Sequence, residues 1–181
     1  MAEGWLKFFF EAMSGPNSYA GGGKAAPVDS MPGWKGYVVE HGPYRLVDQY
    51  IVFSNGFSAG RTTQWVNDRL VLLMQYGGYY PKEVTAFLRK VLHTQYRLED
   101  FRGFRGPTQF PAEPTDQDLH IYRNMPYNPP DWVDVCNTMP YALHINEYTQ
   151  GAGQEVIVKN ERGRYAIGWH DYHYMVFKPP K

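Results

Sequence analysis

The sequence predicts an α+β fold: a curved antiparallel sheet, open to barrel-like closure, built from two similar hairpin units and accompanied by two amphipathic helices. The strongest observation is a stretch that occurs twice, as residues 60–67 with 70–76 and again as residues 153–160 with 165–170. Each copy reads as a glycine, a strand, an Asn-led turn and a second strand. A sheet with this pseudo-symmetry can hold a ligand where its halves meet.

Two segments carry apolar residues at helical spacing, which predicts helices over residues 3–13 and 82–96. Pro81 is well placed at the start of the second helix. The apolar stripe of the first helix is Trp5, Phe8, Phe9, Ala12 and Met13, and that of the second is Val84, Phe87, Leu88, Val91 and Leu92. The second helix is expected to lie across one face of the sheet.

Short runs of strand-forming residues between turn residues predict the sheet. The first four strands are expected over residues 35–40, 44–53, 57–66 and 69–76, and their short connections imply antiparallel pairing. Beyond the second helix we expect a loop over 97–116, a short strand over 118–123, no regular structure over the proline-rich 124–131, and strands again over 132–148, 154–159 and 164–177.

Length and charge narrow the class of protein. A chain of 181 residues with no long polar linker predicts a single domain over residues 1–181. Lys and Arg number 18 and Asp and Glu number 18, so the basic excess typical of nucleic-acid binding is missing, and we expect no nucleic-acid partner. The longest apolar run is far below the roughly 20 residues of a membrane span, so we expect no membrane association.

Cysteine usage and the N-terminus predict a cytoplasmic protein. Cys136 is the single cysteine, which excludes an internal disulfide framework and a multi-cysteine metal site. Glu3 and Glu11 flank the first apolar stretch, which is therefore not a secretory signal. No nucleotide-binding loop and no metal-ligand spacing are found, so we predict neither a metal nor a cofactor. A homodimer stays open.

Aromatic residues make up 17% of the chain, with Tyr the most frequent. They could simply fill the core and cover edge strands. They could also line a pocket for a ring-containing or sugar-like ligand, in which buried phenols supply polar contacts. On this second interpretation, Trp65 and Trp169 form walls, and Tyr50 and Tyr172 contact the ligand.

The last predicted strand carries the densest polar group. Alternation along a strand puts His170, Tyr172 and Tyr174 on one face, and Trp169, Asp171 and His173 on the other. An imidazole between two phenols could act as a general acid or base, whereas an edge strand would leave the same side chains solvated. Glu155 lies on the other strand of this hairpin and could orient His170; a surface glutamate is the alternative.

Three further residues are candidates for the same site. Asp48 lies among apolar strand neighbours, so it points outward or is buried with a partner. Tyr76 ends the first repeat near the place that His170 has in the second, and the two could face one another. Arg105, in a Gly- and Phe-rich loop, could bind an anionic group; a solvated surface arginine is the alternative.

Five segments occur in order over roughly residues 6–171: 19–24, 48–50, 60 with its hairpin, 105–107, and 155–156 through 169–170. Taken together, they resemble an uncharacterised bacterial domain family, domain of unknown function 5680. The chain departs from the family pattern at Thr62, where an acidic residue is usual, and after His170, where glycines are usual. Some members are fused to a DNA-binding helix-turn-helix, so the resemblance implies a globular domain with a ligand-sensing role.

Three functions are compatible with the sequence. The first is a cofactor-independent acid–base enzyme, an isomerase, cyclase, lyase or hydrolase, acting on a small aromatic or cyclic metabolite. Its catalytic residues would be His170, Glu155, Asp48 and Tyr76. The second is a domain that binds or senses a small ligand without chemistry. The third is an interaction domain with an exposed aromatic edge.

Overall fold

The computed structural model describes residues 2–98, 109–110, 120–127, 148–159 and 165–177, and it confirms the α+β class. Helix α1 spans Ala2–Ser14, and a 3₁₀ turn at Lys82–Val84 leads into helix α2, Thr85–Arg97. The strands of the described residues are β1 (Ala26–Pro27), β2 (Lys35–His41), β3 (Tyr44–Val52), β4 (Phe57–Val66), β5 (Arg69–Tyr79), β6 (Gln109–Phe110), β7 (His120–Tyr127), β8 (Tyr148–Lys159) and β9 (Tyr165–Phe177).

The strands form one sheet in the order β1-β2-β3-β4-β5-β9-β8-β7-β6. Every pairing in it is antiparallel, as the short turns predicted. Within the described ranges β1 and β6 stand at opposite ends of this order, and no pairing joins them. The sheet is therefore open there, and barrel-like closure stays a prediction.

The repeated stretches form two hairpins, β4–β5 and β8–β9, which lie side by side because β5 pairs with β9. Both hairpins have an irregular register at the equivalent place, between Gln64 and Trp65 in the first and between Ile157 and Val158 in the second. A β-bulge bends and twists its strand, so equal bulges give the two hairpins the same shape. The predicted pair of similar units is thus present in the backbone.

The centre of this arrangement is the pair formed by Tyr76 and Tyr172, which lie directly opposite each other on β5 and β9. Gly60 lies opposite Tyr76 in the first hairpin, and Gly153 lies opposite Tyr172 in the second. The residue equivalent to Tyr76 is therefore Tyr172. His170 lies two residues before Tyr172 on the same face of β9, so Tyr76 is near the equivalent place, as predicted, and the two rings are stacked with centroids 5.8 Å apart.

Proline-rich sequence did not end the sheet where we predicted. Strand β7 continues to Tyr127, and its Pro126 lies opposite Gly153 of β8. Strand β6 pairs only with Tyr122 and Arg123 of β7. In the described part of the sheet, no strand therefore pairs with Pro126 on the side of β7 that faces β6, and a backbone N–H donor is not needed there. Most of the strand predicted over 132–148 lies outside the described residues.

The two helices pack against each other and cover one face of the sheet. Phe9 is fully buried and meets Tyr96 of α2 edge to face, with ring centroids 5.8 Å apart. On the sheet side, the Gln64 amide donates a hydrogen bond to the Trp5 carbonyl oxygen, which ties α1 to β4. Among the residues that the structure describes, no helix has the length and apolar character needed to cross a membrane.

Candidate functional site

A cavity of about 110 Å³ lies between the two helices and the sheet. An engineered apolar cavity of about 150 Å³ can hold benzene, so this space suits a ligand of about one ring. The helix side, with the glycine-rich loop after α1, contributes Met13, Tyr19, Ala20, Thr85, Leu88, Leu92 and Tyr96. The sheet side contributes Asp48, Tyr50, Val52, Gly56, Ser58, Tyr76, Tyr80 and His170.

A row of four residues crosses the sheet from β8 to β4: Glu155, His170, Gly78 and Ser58 lie opposite one another in that order. Gly78 has no side chain, and an added Cβ would stand only 2.9 Å from Cδ2 of His170. The imidazole therefore occupies the space above β5 and reaches the next strand. Its Nε2 lies 2.8 Å from the Ser58 Oγ.

Glu155 lies on the other side of the imidazole. It is fully buried, and its Oε1 lies 3.4 Å from Nδ1 of His170, an ion-pair contact that is long for a hydrogen bond. Its Oε2 accepts a hydrogen bond of 2.7 Å from the Tyr122 hydroxyl, which fixes the carboxylate. We assign the neutral His170 tautomer with its proton on Nδ1, facing this carboxylate. Nε2 is then the acceptor for the Ser58 hydroxyl, as a general base requires.

A second polar cluster surrounds Asp48 on the same wall of the cavity. The Asp48 Oδ1 accepts hydrogen bonds from the Thr62 hydroxyl at 2.8 Å and from the Tyr76 hydroxyl at 3.0 Å. The Tyr76 ring crosses above Gly60 to reach it, and lies 5.8 Å from the His170 ring. Asp48 is therefore buried with partners, the second of the two alternatives that the sequence left open.

In the other half of the sheet, the tyrosine equivalent to Tyr76 meets an amide instead of a carboxylate. Tyr172 is fully buried, and its hydroxyl donates a hydrogen bond of 2.7 Å to Oδ1 of Asn124. By strand register, Asn124 takes the place that Asp48 has in the first half. Tyr172 is not among the residues that line the cavity. A contact between Tyr172 and a ligand stays a prediction.

The structure brings most of the predicted site residues together. His170, Asp48, Tyr76 and Tyr50 line the cavity, and Glu155 stands directly behind His170. Within the described ranges, no three His, Cys, Asp or Glu side chains gather as a metal-binding group.

Two of the predicted ligand contacts, Trp65 and Trp169, do not line this cavity. Alternation turns them away from the face that carries Gln64 and His170. Aromatic walls are supplied instead by residues such as Tyr80, whose ring centroid lies 4.4 Å from that of His170. Arg105 lies outside the described residues.

Sequence reasoning missed Ser58, although a signal for it exists. Alternation along β4 puts Ser58 on the same face as Gly60 and Thr62, the face that the repeat turns toward the site. Tyr80 follows the end of β5, where strand alternation no longer predicts orientation.

The fold and the site define a class in physical terms: an α+β protein whose sheet and two helices enclose a small aromatic cavity with a Ser–His–Glu row. Comparison of the chain with protein-family models, with curated proteins and with solved structures found no match. The resemblance to domain of unknown function 5680 stays a prediction, and the function is argued from the geometry of the site.

Gly60→Ala tests the Tyr76–Asp48 contact. The added Cβ would stand 2.5 Å from the Tyr76 Oη and would push the ring away from Asp48. A buried carboxylate that loses a donor costs about 1–3 kcal/mol, so we expect the free energy of unfolding to fall by that amount in urea denaturation. Gly77→Ala is the control, because its Cβ would make ordinary contacts no closer than 3.4 Å. Equal stability of the two variants would contradict this role for Gly60.

Tyr50 predicts a loss of stability at high pH. Burial, reinforced by a hydrogen bond with Tyr37, raises the pKa of Tyr50 far above its ordinary value of 10.0. As the pH rises through 10, the unfolded chain ionises first, so the folded state loses relative stability. We expect urea denaturation to show a drop between about pH 8 and pH 11 that is smaller in Tyr50→Phe, by up to about 1 kcal/mol after solvent screening. Identical drops in both proteins would contradict this.

Proposed function

We propose that the protein is a cofactor-independent acid–base enzyme acting on a small aromatic or cyclic metabolite, as an isomerase, cyclase, lyase or hydrolase. The observation that carries this proposal is the position of His170. Its imidazole lines the cavity with Nε2 at 2.8 Å from the Ser58 hydroxyl, while Nδ1 faces the buried carboxylate of Glu155. A base needs this arrangement to accept a proton on one nitrogen and be held by the other.

Each neighbouring residue has a role in this proposal. His170 takes a proton from the substrate and returns it at another atom. Glu155 orients the imidazole and stabilises the imidazolium that forms. Asp48 and Tyr76, held together by their own hydrogen bond, supply fixed acceptor oxygens for a polar substituent, and the aromatic walls pack against the ring. No step needs a metal or a nucleotide.

Two one-ring probes test the proposal. Cyclohexanone in D₂O reports proton abstraction through loss of its α-proton signals in NMR, and phenyl acetate reports hydrolysis through release of phenol. We expect the protein to accelerate at least one of these reactions above the buffer rate. Buffer rates for both probes, with folded protein verified by circular dichroism, would remove acid–base catalysis of this kind.

A binding or sensing domain without chemistry is the second candidate. The observation that favours it is the lining itself, in which apolar and aromatic side chains such as Leu88, Leu92 and Tyr96 outnumber Asp48 and His170. Apolar cavities with a few polar groups are typical of ligand sites in general. In this case phenol would raise the melting temperature by mass action, and phenyl acetate would be recovered unchanged.

Other features of the proposal follow from the sequence. We propose a single domain, a cytoplasmic location in keeping with the lone Cys136, and kinship with domain of unknown function 5680. A homodimer is compatible with it. Sedimentation of the purified chain would measure the oligomeric state directly.

A further inference from the structure

We propose that Ser58 is a nucleophile and that the substrate is a small neutral ester, carrying a single ring or a short acyl chain. This inference rests on the proposed role of His170 as a base. It adds a covalent intermediate, a named attacking atom and a substrate class, none of which acid–base catalysis alone requires.

The geometry supplies three connected groups. The Ser58 Oγ lies 2.8 Å from Nε2 of His170, and Oε1 of Glu155 lies 3.4 Å from Nδ1. A hydroxyl, an imidazole and a carboxylate in this sequence form the relay of serine hydrolases, which recurs on unrelated folds and is recognised by geometry. The distance of 3.4 Å between Nδ1 of His170 and Oε1 of Glu155 is longer than that of a hydrogen bond. Such contacts between catalytic residues often shorten when substrate binds.

The position of Ser58 suits attack on a substrate. It is only half-buried and lines the cavity, whereas His170 and Glu155 are 5% and 0% exposed. The base is thus shielded from water while the hydroxyl faces the open space. Gly78 makes the contact feasible, because any side chain there would block the path of the imidazole across β5.

The reaction balances without an added oxidant or reductant. The Ser58 Oγ attacks the ester carbonyl carbon, and its proton passes to Nε2 of His170. The bond from that carbon to the leaving oxygen breaks, and the imidazolium protonates the departing alcohol or phenol. Water then attacks the acyl-Ser58 ester, giving its proton to His170. The acyl–Oγ bond breaks, the acid leaves, and Ser58 regains its proton.

Tyr80, whose ring centroid lies 4.4 Å from that of His170, is the candidate donor for the oxyanion that forms at the carbonyl. Tyr50 and Tyr80 line the same cavity as Ser58. The space of about 110 Å³ limits the substrate to one ring or a short chain.

Phenylmethylsulfonyl fluoride tests the nucleophile, since its sulfur is attacked by an activated serine with loss of fluoride. The tryptic peptide 46–61 contains both Ser54 and Ser58, so fragmentation in a mass spectrometer decides which one is modified. We expect the label on Ser58 in the wild-type protein. The Ser54→Ala variant is the control, because Ser54 is exposed in the turn before β4, and its Ser58 should be labelled equally. In His170→Gln the labelling rate should fall by about 10²-fold or more.

The outcomes separate this inference from the function on which it rests. An unlabelled Ser58 in the wild-type protein, or equal labelling in His170→Gln, overturns the nucleophile even where the protein still accelerates cyclohexanone exchange. Buffer rates for both one-ring probes remove the proposed function, and the label on the wild-type peptide still decides Ser58. The wild-type measurement needs no variant, so a His170→Gln protein that fails to fold does not affect the assignment of the label.

Discussion

His170→Ala is expected to lower the rate of the probe reaction by about 10²–10⁴, the usual contribution of general acid–base catalysis. The variant removes the only group in the Glu155–His170–Ser58 row that can both accept and donate a proton near neutral pH. The measurement is the initial rate of phenol release or of deuterium uptake, compared at equal concentrations of folded protein.

His173→Ala is the matched control for this variant. His173 lies three residues further along β9, is exposed, and faces away from the cavity. Its loss should leave the probe rate unchanged. Because His170→Ala leaves the Glu155 carboxylate facing an empty space, His170→Gln serves as a second variant that keeps a donor there. Full activity in both position-170 variants would show that the imidazole takes no part in the reaction.

Phe9→Ala is expected to lower the free energy of unfolding by about 3–5 kcal/mol, the cost of removing a fully buried aromatic side chain. Phe9 is 0% exposed and contacts Phe10 and Tyr96 with ring centroids at 5.5 and 5.8 Å. Because Tyr96 lines the cavity, the lost contact also loosens the helix side of the site. Urea denaturation measures the stability, and phenol binding followed by calorimetry measures the site.

Phe53→Ala is the control for this loss of stability. Phe53 is 52% exposed and follows the end of β3, so its truncation should cost less than about 1 kcal/mol. A Phe9→Ala protein as stable as the Phe53→Ala protein would mean that α1 adds little to the fold.

Local sequence signals predicted the elements bounded by strong turns. The Asn67–Asp68 turn adopts positive φ angles of 48° and 60°, the geometry of a tight two-residue hairpin, so the start of β5 lies where the sequence placed it. Helix α2 likewise follows its apolar stripe. The continuation of β7 through Pro126 was not predicted. A strand tolerates proline at a position where no neighbouring strand needs a backbone N–H donor. Such a position is visible only once the order of the strands in the sheet is known.

The site was predicted in part for a similar reason. Pairing of Glu155 with His170 within one hairpin follows from alternation and a short connection, and the structure has it. Ser58 is 112 residues from His170 in the chain, and their contact depends on how two separate hairpins align and on a glycine between them. Strands β5 and β9 are neighbours in the sheet but not in the chain, so no hairpin turn fixes the register between them.

Because the hairpins β4–β5 and β8–β9 have the same backbone arrangement, they differ chemically only through the side chains at equivalent positions. Met74 and Thr62 stand in the first hairpin where His170 and Glu155 stand in the second. A graft of histidine and glutamate onto those two positions would set a duplicate imidazole–carboxylate pair beside Asp48. The sheet therefore offers two equivalent positions for such a pair. The second hairpin already carries the reactive groups, and the first is available for redesign.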